Sequence, residues 1–485
     1  MPQFKLKDVS SLSLQPGDKR EVEVEGVEGG KVLLLNAGGK IQATGPKCTH
    51  YGAPLVNGVL TKGGRLTCPW HGACFNGQTG DIENAPALDA LPVFKVVEKD
   101  GAVYIEGEEA TIKAARRKPN FKCGTSGGAQ ADRIVVVGGG SGAIGAIEGL
   151  REKGFSGPIT MISNEGYLPI DRTKLSKALI TDHTKIQWRD EEWFKSGSVE
   201  VNKERFVYSK LVLATGASPR NLPVQGFKVL ENIFLLRTVH DAKKIVDAIG
   251  DKGKKIVVVG SSFIGMEVAN ATAAENEVTV VGQESVPLER VLGKEVGAGL
   301  QKLLEEKGVK FHMSAGVDKA EPSGSSPSRV GSVHLKDGTK LEADLVVLGV
   351  GVAPSTGYLR ENKGNYTRIE HWNVAQNQGR VVAHHIVNPS LKSDFFTPIF
   401  WSALTGQLRY CGNSMHGWDE LVLQGNPGEG KFVAYYCKGE TVVAMASMGV
   451  DPAMAKSAEL MKMDAMPSKK ELKGGLDILT VPLPA

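Results

Sequence analysis

The chain has 485 residues, 59 of them glycine, and a formal net charge of +4. Such a length predicts about three or four domains, and so small a net charge gives no argument for nucleic acid, so no nucleic-acid partner is expected. Six cysteines make no disulfide framework, and no run of about 18 apolar residues is present, so no integral membrane segment is expected. The first residues, Met1 to Leu14, mix charges of both signs without an apolar run. They resemble neither a signal peptide nor a clear targeting peptide. The expected compartment is reducing, mitochondrial or cytoplasmic.

Residues 1–108 read as all-β, with short apolar or alternating runs between glycine-rich turns. Asp100-Gly101 predicts the turn of a hairpin over Val96–Tyr104. This region holds the pattern Cys48-x-His50-x17-Cys68-x-x-His71. Two cysteines and two histidines in that order fit a Rieske [2Fe–2S] cluster, with Cys48 and Cys68 on one iron and His50 and His71 on the other. Neutral imidazoles donate less charge than thiolates, so such a cluster is easier to reduce than an all-thiolate one. The bland alternative is a four-ligand zinc site, but its usual spacings pair Cys with Cys and His with His. Ala53 and Trp70 stand where high-potential Rieske proteins carry a stapling cysteine pair, so this region resembles the disulfide-free, ferredoxin-type Rieske domain of lower potential. Cys74 is expected to be a buried small residue under the cluster.

Residues 109–131 read as a linker, with Arg116-Arg117-Lys118 as solvated charge. At 132 the composition changes. Ile134–Val137 is a predicted buried strand, followed by Gly138, Gly140 and Ala143 in G-x-G-x-x-A spacing and an apolar-periodic helix to Leu150. This is the dinucleotide fingerprint in its required context. Gly138 makes the turn, Gly140 admits a pyrophosphate to the backbone, and Ala143 permits close helix packing. Glu165, about 20 residues on, is placed to bind a ribose hydroxyl. The fingerprint recurs at Gly260, Ser262 and Gly265, where Ser262 replaces the second glycine and crowds the phosphate slightly. The following strand ends in Gly282 instead of an acid, then Gln283 and Glu284, so NADH and NADPH both remain open. Arg290 is expected to be surface charge. The predicted bounds are 132–250 for the first part of an FAD domain, 251–364 for the NAD(P) domain, 365–394 for an FAD-domain return, and 395–485 for a small α+β domain with a loose tail.

Two nucleotide folds joined through Leu211-Val212-Leu213-Ala214-Thr215-Gly216 resemble the FAD-dependent pyridine nucleotide oxidoreductases. No C-x4-C lies on the first long helix, which excludes the disulfide-reductase branch. Pro169-Ile170-Asp171-Arg172 with Leu175-Ser176-Lys177 is similar to the ferredoxin-reductase and apoptosis-inducing-factor branch. That resemblance implies a Lys177–Glu267 pair beside flavin N5, with the lysine stabilising reduced flavin. It implies FAD contacts at Arg172, Ala214, Thr215 and Gly216, and glycines Gly349 and Gly351 beside the nicotinamide. Glu370, His371 and Trp372 would lead into a helix over 373–382 whose N-terminus faces the flavin. With its Rieske domain the whole chain resembles the Rieske-containing branch of the apoptosis-inducing-factor family. This implies a multidomain fold, an all-β Rieske domain followed by two α/β Rossmann-like domains and a small α+β domain. It also implies electron transfer from NAD(P)H through FAD to the cluster, then to a one-electron acceptor, protein or small molecule, and a pro-apoptotic role. Two departures stand out. No Gly-Asp lies between Gly351 and Glu370, and the insertion before Leu211 is compressed. They predict a missing strand, an exposed apolar edge and weakened FAD binding. The alternatives are a redox-sensing interaction protein on an inactive reductase scaffold, and the reductase component of an oxygenase system.

Overall fold

A computed structural model of the chain describes residues 1–118, 132–197, 199–201, 206–357, 369–390 and 396–484. The N-terminal domain is a six-stranded antiparallel sheet, in the order Gln3–Lys5, Ala102–Glu106, Val93–Lys99, Lys40–Thr44, Lys31–Ala37, Lys19–Glu23. The predicted hairpin forms because Asp100 and Gly101 adopt positive φ, of 53° and 70°. A second, four-stranded sheet runs Val59–Leu60, Arg65–Thr67, Cys74–Asn76, Ile82–Asn84. It carries the ligand loops at its end.

The linker begins later than its composition suggests. Glu109–Ala114 is a helix with Ile112 buried, and Arg117 bridges to Ala90. Arg116 pairs with Asp89 and Arg117 with Asp81, so these two bases are tied to the Rieske domain and are not simply solvated. The remainder, from 119 to 131, lies outside the described residues.

The FAD domain shows a parallel sheet of four described strands, in the order Val199–Val201, Ile159–Ile162, Ile134–Val137, Lys210–Leu213. Among the described residues Lys210–Leu213 is an edge, and Leu211 and Leu213 are 39% and 43% exposed. The apolar edge anticipated from the absent Gly-Asp segment would fall at this strand. The stretch where that segment would fall, 358–368, lies outside the described residues, as do 202–205 of the compressed insertion. Helix Ser141–Glu152 packs on helix Trp372–Val387, which extends five residues beyond the expected 382. Glycines make the contact possible. A Cβ on Gly145 would lie 2.2 Å from Gln376 O, and one on Gly379 2.2 Å from Gly142 O.

The NAD(P) domain is a five-stranded parallel sheet, Ile233–Phe234, Leu345–Leu348, Lys255–Val259, Glu277–Val281, Lys310–His312. Its first strand precedes residue 251, so the chain crosses into this domain earlier than the fingerprint alone indicates. The C-terminal domain is a five-stranded antiparallel sheet, with Ile399–Ala403 and Gln407–Gly412 at one side, and a helix Ala453–Lys462. The tail is not loose. Leu472 and Ile478 are 1% exposed, and Gln424 donates to the carbonyls of Leu472 and Leu476. Burying two aliphatic side chains fixes it.

Candidate functional site

The ligand loops are near copies of each other. The Cys48 amide donates to Ala53 O and the Gly52 amide to Cys48 O. The Cys68 amide donates to Ala73 O and the Gly72 amide to Cys68 O. Gly52 and Gly72 both turn with left-handed φ, 77° and 67°, which few other residues adopt. The loops bring the Cys48 and Cys68 thiols into mutual hydrogen bonding, and both cysteines are buried. His50 Nδ1 and His71 Nδ1 lie 3.2 Å apart. A tetrahedral metal with bonds of about 2.1 Å holds two nitrogens roughly 3.4 Å apart, so this pair is set to share one ion. Burial holds both imidazoles neutral, His50 near 3 and His71 well below its usual value, which is the form that ligates. Among the described residues no three Cys, His, Asp or Glu converge on one point. A thiol pair beside an imidazole pair suits two irons rather than a single zinc. Cys48, Cys68, Cys74, Cys411 and Cys437 are free, so the domain carries no disulfide among its described cysteines. Cys74 is buried as expected, but its sulfur meets Thr67 and Glu83, outside the apolar cluster that holds Cys48 and Cys68.

The face of the loops that carries the histidines is turned into the reductase half. Trp401 lies with its ring 4.4 Å from His71, and Trp188 5.7 Å from His50. Trp401 in turn meets His371 at 5.0 Å, and Trp188 meets Trp372 at 5.4 Å. Polar contacts bind the two halves around this aromatic group. Arg189 donates to Asp89 at 2.8 Å, to Leu88 O at 2.8 Å and to Glu148 at 2.9 Å. Arg65 reaches Glu459 at 3.0 Å, and Thr67 donates to the same carboxylate at 2.6 Å.

Behind the aromatic group lies Lys177, whose Nζ is 2.9 Å from Glu267 Oε1. Ser402 donates to the same oxygen at 2.6 Å, and Ser176 holds the other. Glu267 is thus fixed from three sides and can fix the ammonium group. His371 caps the helix Trp372–Val387, its Nδ1 accepting from the Asn373 amide at 3.3 Å. Burial and then Lys177 lower its pKa to about 3, so it stays neutral. Trp372 is buried and Glu370 exposed, with its carboxylate acting on Arg237.

The nucleotide turns are formed. A Cβ on Gly138 would lie 2.1 Å from Ala214 O, so the fingerprint and the Ala214-Thr215-Gly216 turn press together. Gly140, at the helix N-terminus, has open space around it. Ala143 is fully buried. Thr215 donates to Ser355 O at 2.8 Å. Glu165 makes a two-point ion pair with Arg172 at 2.8 and 2.7 Å. Arg237, half-buried, brings its guanidinium against Gly216 and feels the carboxylates of Glu165 and Glu370. Buried and unpartnered indole N–H groups remain on Trp188 and Trp372. An open glycine cradle, a guanidinium beside it and orphaned donors fit a diphosphate-bearing flavin nucleotide. In the second fingerprint a Cβ on Gly260 would lie 2.5 Å from Gly349 O, and one on Gly265 2.0 Å from Gly260 O. Ser262 turns its hydroxyl back to Gly349 O at 2.9 Å, away from the turn's open side. Gly351 has φ of 88° with open space around it. Glu284 accepts from Ser261 at 3.1 Å and pairs with exposed Arg290.

Three family models match the chain in succession: the Rieske [2Fe-2S] domain over residues 4–95, the pyridine nucleotide-disulphide oxidoreductases over 132–386, and the reductase C-terminal domain over 399–475. Apoptosis-inducing factor 3 of Homo sapiens and that of Mus musculus are each 36% identical over 95% of this chain and 84% of their own length. The chain belongs to the Rieske-bearing apoptosis-inducing-factor family of pyridine nucleotide oxidoreductases. It is an FAD-dependent oxidoreductase whose cofactors are FAD, NAD(P)H and a Rieske cluster. The ferredoxin–NAD(+) reductase component of an anthranilate 1,2-dioxygenase system in Burkholderia cepacia is 28% identical over 70% of this chain and 97% of its own. The crystal structure of a covalent putidaredoxin reductase-putidaredoxin complex matches with a TM-score of 0.65 and 26% identity, over 71% of this chain and 95% of that one.

Sequence reasoning missed Trp401, Trp188, Tyr51, Asp171 and Arg237. Trp401 stands in the run Ile399-Phe400-Trp401-Ser402, whose aromatic pair is a weak signal on its own. Among the described residues no helix is long and apolar enough to cross a membrane.

Proposed function

We propose that this chain passes reducing equivalents from NAD(P)H to its own Rieske centre within one molecule. The observation that carries this is the run of touching rings from His71 through Trp401 to His371, with Lys177 behind them. When bound, FAD supplies the conversion of a two-electron hydride into single electrons, and the cluster takes those one at a time. The chain's residues do the placing. Gly138, Gly140 and Ala143 receive the FAD diphosphate, with Arg237 offering it a positive charge. Glu165, committed to Arg172, acts on the ribose through that pair. Lys177, locked by Glu267, holds a fixed positive charge where the flavin ring gains negative charge, a preorganised arrangement that needs no rearrangement during reaction. Gly260, Ser262, Gly265, Gly349 and Gly351 receive the nicotinamide nucleotide. The packed rings of Trp401, Trp188 and Trp372 would limit water between the two cofactor sites.

The solved relative is a complex with a separate redox protein. Here the corresponding acceptor is part of the chain, and a further one-electron acceptor takes the electron onward. A pro-apoptotic role, with a mitochondrial place, is supported by the name of the human and mouse relatives. Expression of the chain in cultured cells, scored for caspase activation against a Cys68→Ser variant, tests it.

The exposed edge at Leu211 and Leu213 favours a second reading, an interaction protein whose reductase half no longer turns over. Anaerobic titration with NADH decides between them. Bleaching of flavin bands together with a Rieske electron-spin signal supports the electron path. Rieske bands that ignore NADH, without flavin absorption, support the interaction reading.

A further inference from the structure

The cluster loop is gripped by a domain to which it does not belong. Strands Ile399–Ala403 and Gln407–Gly412 pair so that Trp401 stands opposite Arg409 and Ile399 opposite Cys411, all on one face. That face meets the loop at three points. Ile399 fills the space where a Gly72 side chain would be, 2.4 Å from its Cβ position. Trp401 covers His71. Arg409, 4% exposed, donates from Nη1 to Trp70 O at 2.7 Å. The rest of its guanidinium is held by Asp451 through two bonds, at 2.6 and 2.8 Å.

The carbonyl of Trp70 and the amide of His71 belong to one peptide unit. The Trp70 and His71 N–H groups donate to Cys68 sulfur. A cation bonded to the carbonyl end of a peptide polarises it and strengthens the donor at the other end. We infer that Arg409 is a positioning residue that raises the reduction potential of the Rieske centre through the Trp70–His71 peptide, so that docking on the C-terminal domain makes the cluster a better acceptor. The inference rests on the proposed electron path. Two physical effects run in the same direction. One electron, supplied by flavin that NAD(P)H has reduced, adds one negative charge to the cluster, and a buried cation nearby favours that state. Stronger N–H···S bonds also disperse the charge on sulfur, one of the recognised controls of iron–sulfur potentials.

Asp451 opposes Arg409, and this gives the test its form. In the full chain, Arg409→Met removes the cation and should make cluster reduction about tenfold less favourable, a fall of about 59 mV for a one-electron couple. Asp451→Asn leaves the guanidinium in place and removes the opposing charge, so its potential should rise. Arg409→Lys should recover part of the loss, keeping charge without the two-point geometry. The readouts are the midpoint of a dye-mediated redox titration and the g-values of the reduced cluster, both independent of turnover. Opposite shifts in Arg409→Met and Asp451→Asn support the inference. If Arg409→Met fails to fold, a rise in Asp451→Asn supports it and an unmoved midpoint overturns it. Shifts of the same sign, or wild-type midpoints and g-values in both variants, overturn it. A wild-type chain without any Rieske signal would instead overturn the reading beneath it.

Discussion

Tyr51 of the cluster loop donates a hydrogen bond to Asp171, 120 residues further on and in another domain. Its ring lies flat on His50, with centroids 3.8 Å apart and 14° between planes, and the Lys174 ammonium stands 4.9 Å over it. One side chain therefore touches a cluster ligand, an FAD-domain carboxylate and an FAD-domain cation. Tyr51→Phe should keep the cluster spectrum and weaken the contact between domains by about 1 kcal/mol, the worth of one such bond. Stopped-flow absorption should show flavin reduction by NADH unchanged and the later cluster phase slowed. An unaltered cluster phase would show that this bond does not hold the docked arrangement.

Lys177 and Glu267 are expected to act as a unit. Lys177→Met should retain FAD, as read from the visible spectrum, and slow its reduction by NADH about a hundredfold, the scale on which single preorganised groups act. Glu267→Gln should slow it less, since Ser176 and Ser402 still hold the side chain near the lysine.

Glu148 gives a pH dependence. Burial pushes its carboxyl up from an ordinary 4.5 to about 7, against the pull of Arg189. The folded state then holds this proton more tightly than the unfolded chain. Its contribution is complete below about 4.5 and is lost as pH rises through about 7. That shift corresponds to something of the order of 3 kcal/mol. Melting temperatures measured from pH 4.5 to 8 should therefore fall less steeply in Glu148→Gln than in the wild type. Equal slopes would place the titrating group elsewhere.

Coenzyme preference is predicted to turn on Glu284. Its carboxylate reaches back to Ser261 in the fingerprint turn, and a side chain on Gly282 would lie 2.6 Å from the Ser261 hydroxyl. The acid is therefore supplied from two residues beyond the usual place. A carboxylate there accepts from ribose hydroxyls and repels a 2′-phosphate. NADH should bind more tightly than NADPH in fluorescence titrations. Glu284→Ala frees Arg290, now paired at 2.7 Å, and should improve NADPH binding about tenfold, or 1.4 kcal/mol. NADPH binding no better than in the wild type would remove Glu284 from this role.

The edge strand predicts self-association. Leu213→Lys adds a charge to an exposed position of Lys210–Leu213. It should leave the melting temperature nearly unchanged and reduce light scattering at high protein concentration.

The parts of this molecule legible in its sequence are those where chemistry demands fixed residue types at fixed spacing. Cys48, His50, Cys68 and His71 declare themselves because two loops must each offer a cysteine and a histidine. Gly138 and Gly260 do so because a neighbouring carbonyl leaves no room for a Cβ. The Lys177–Glu267 pair followed from family resemblance, and the two side chains do meet. The contacts between domains were not legible. Arg65 and Glu459 are 394 residues apart, and nothing in either stretch marks it as half of a pair. Trp401 belongs to a strand that looks like ordinary core until the Rieske domain is laid against it. The tail reads as loose, yet buried Leu472 and Ile478 and the Gln424 hydrogen bonds anchor it.

The joint between the Rieske domain and the reductase adds hydrogen bonds and ion pairs, among them Arg189 with Asp89 and Arg65 with Glu459, to a small aromatic contact at Trp401 and Trp188. Such contacts between separate proteins would give modest affinity. Within one chain the comparison is different, because a short tether holds the partner at an effective concentration in the millimolar range. Contacts no stronger than millimolar then suffice to keep the domain on its site about half the time. A joint of that strength combines rapid loading of the cluster with rapid departure, and the dwell time on the reductase, rather than the chemistry, can set the pace of electron delivery.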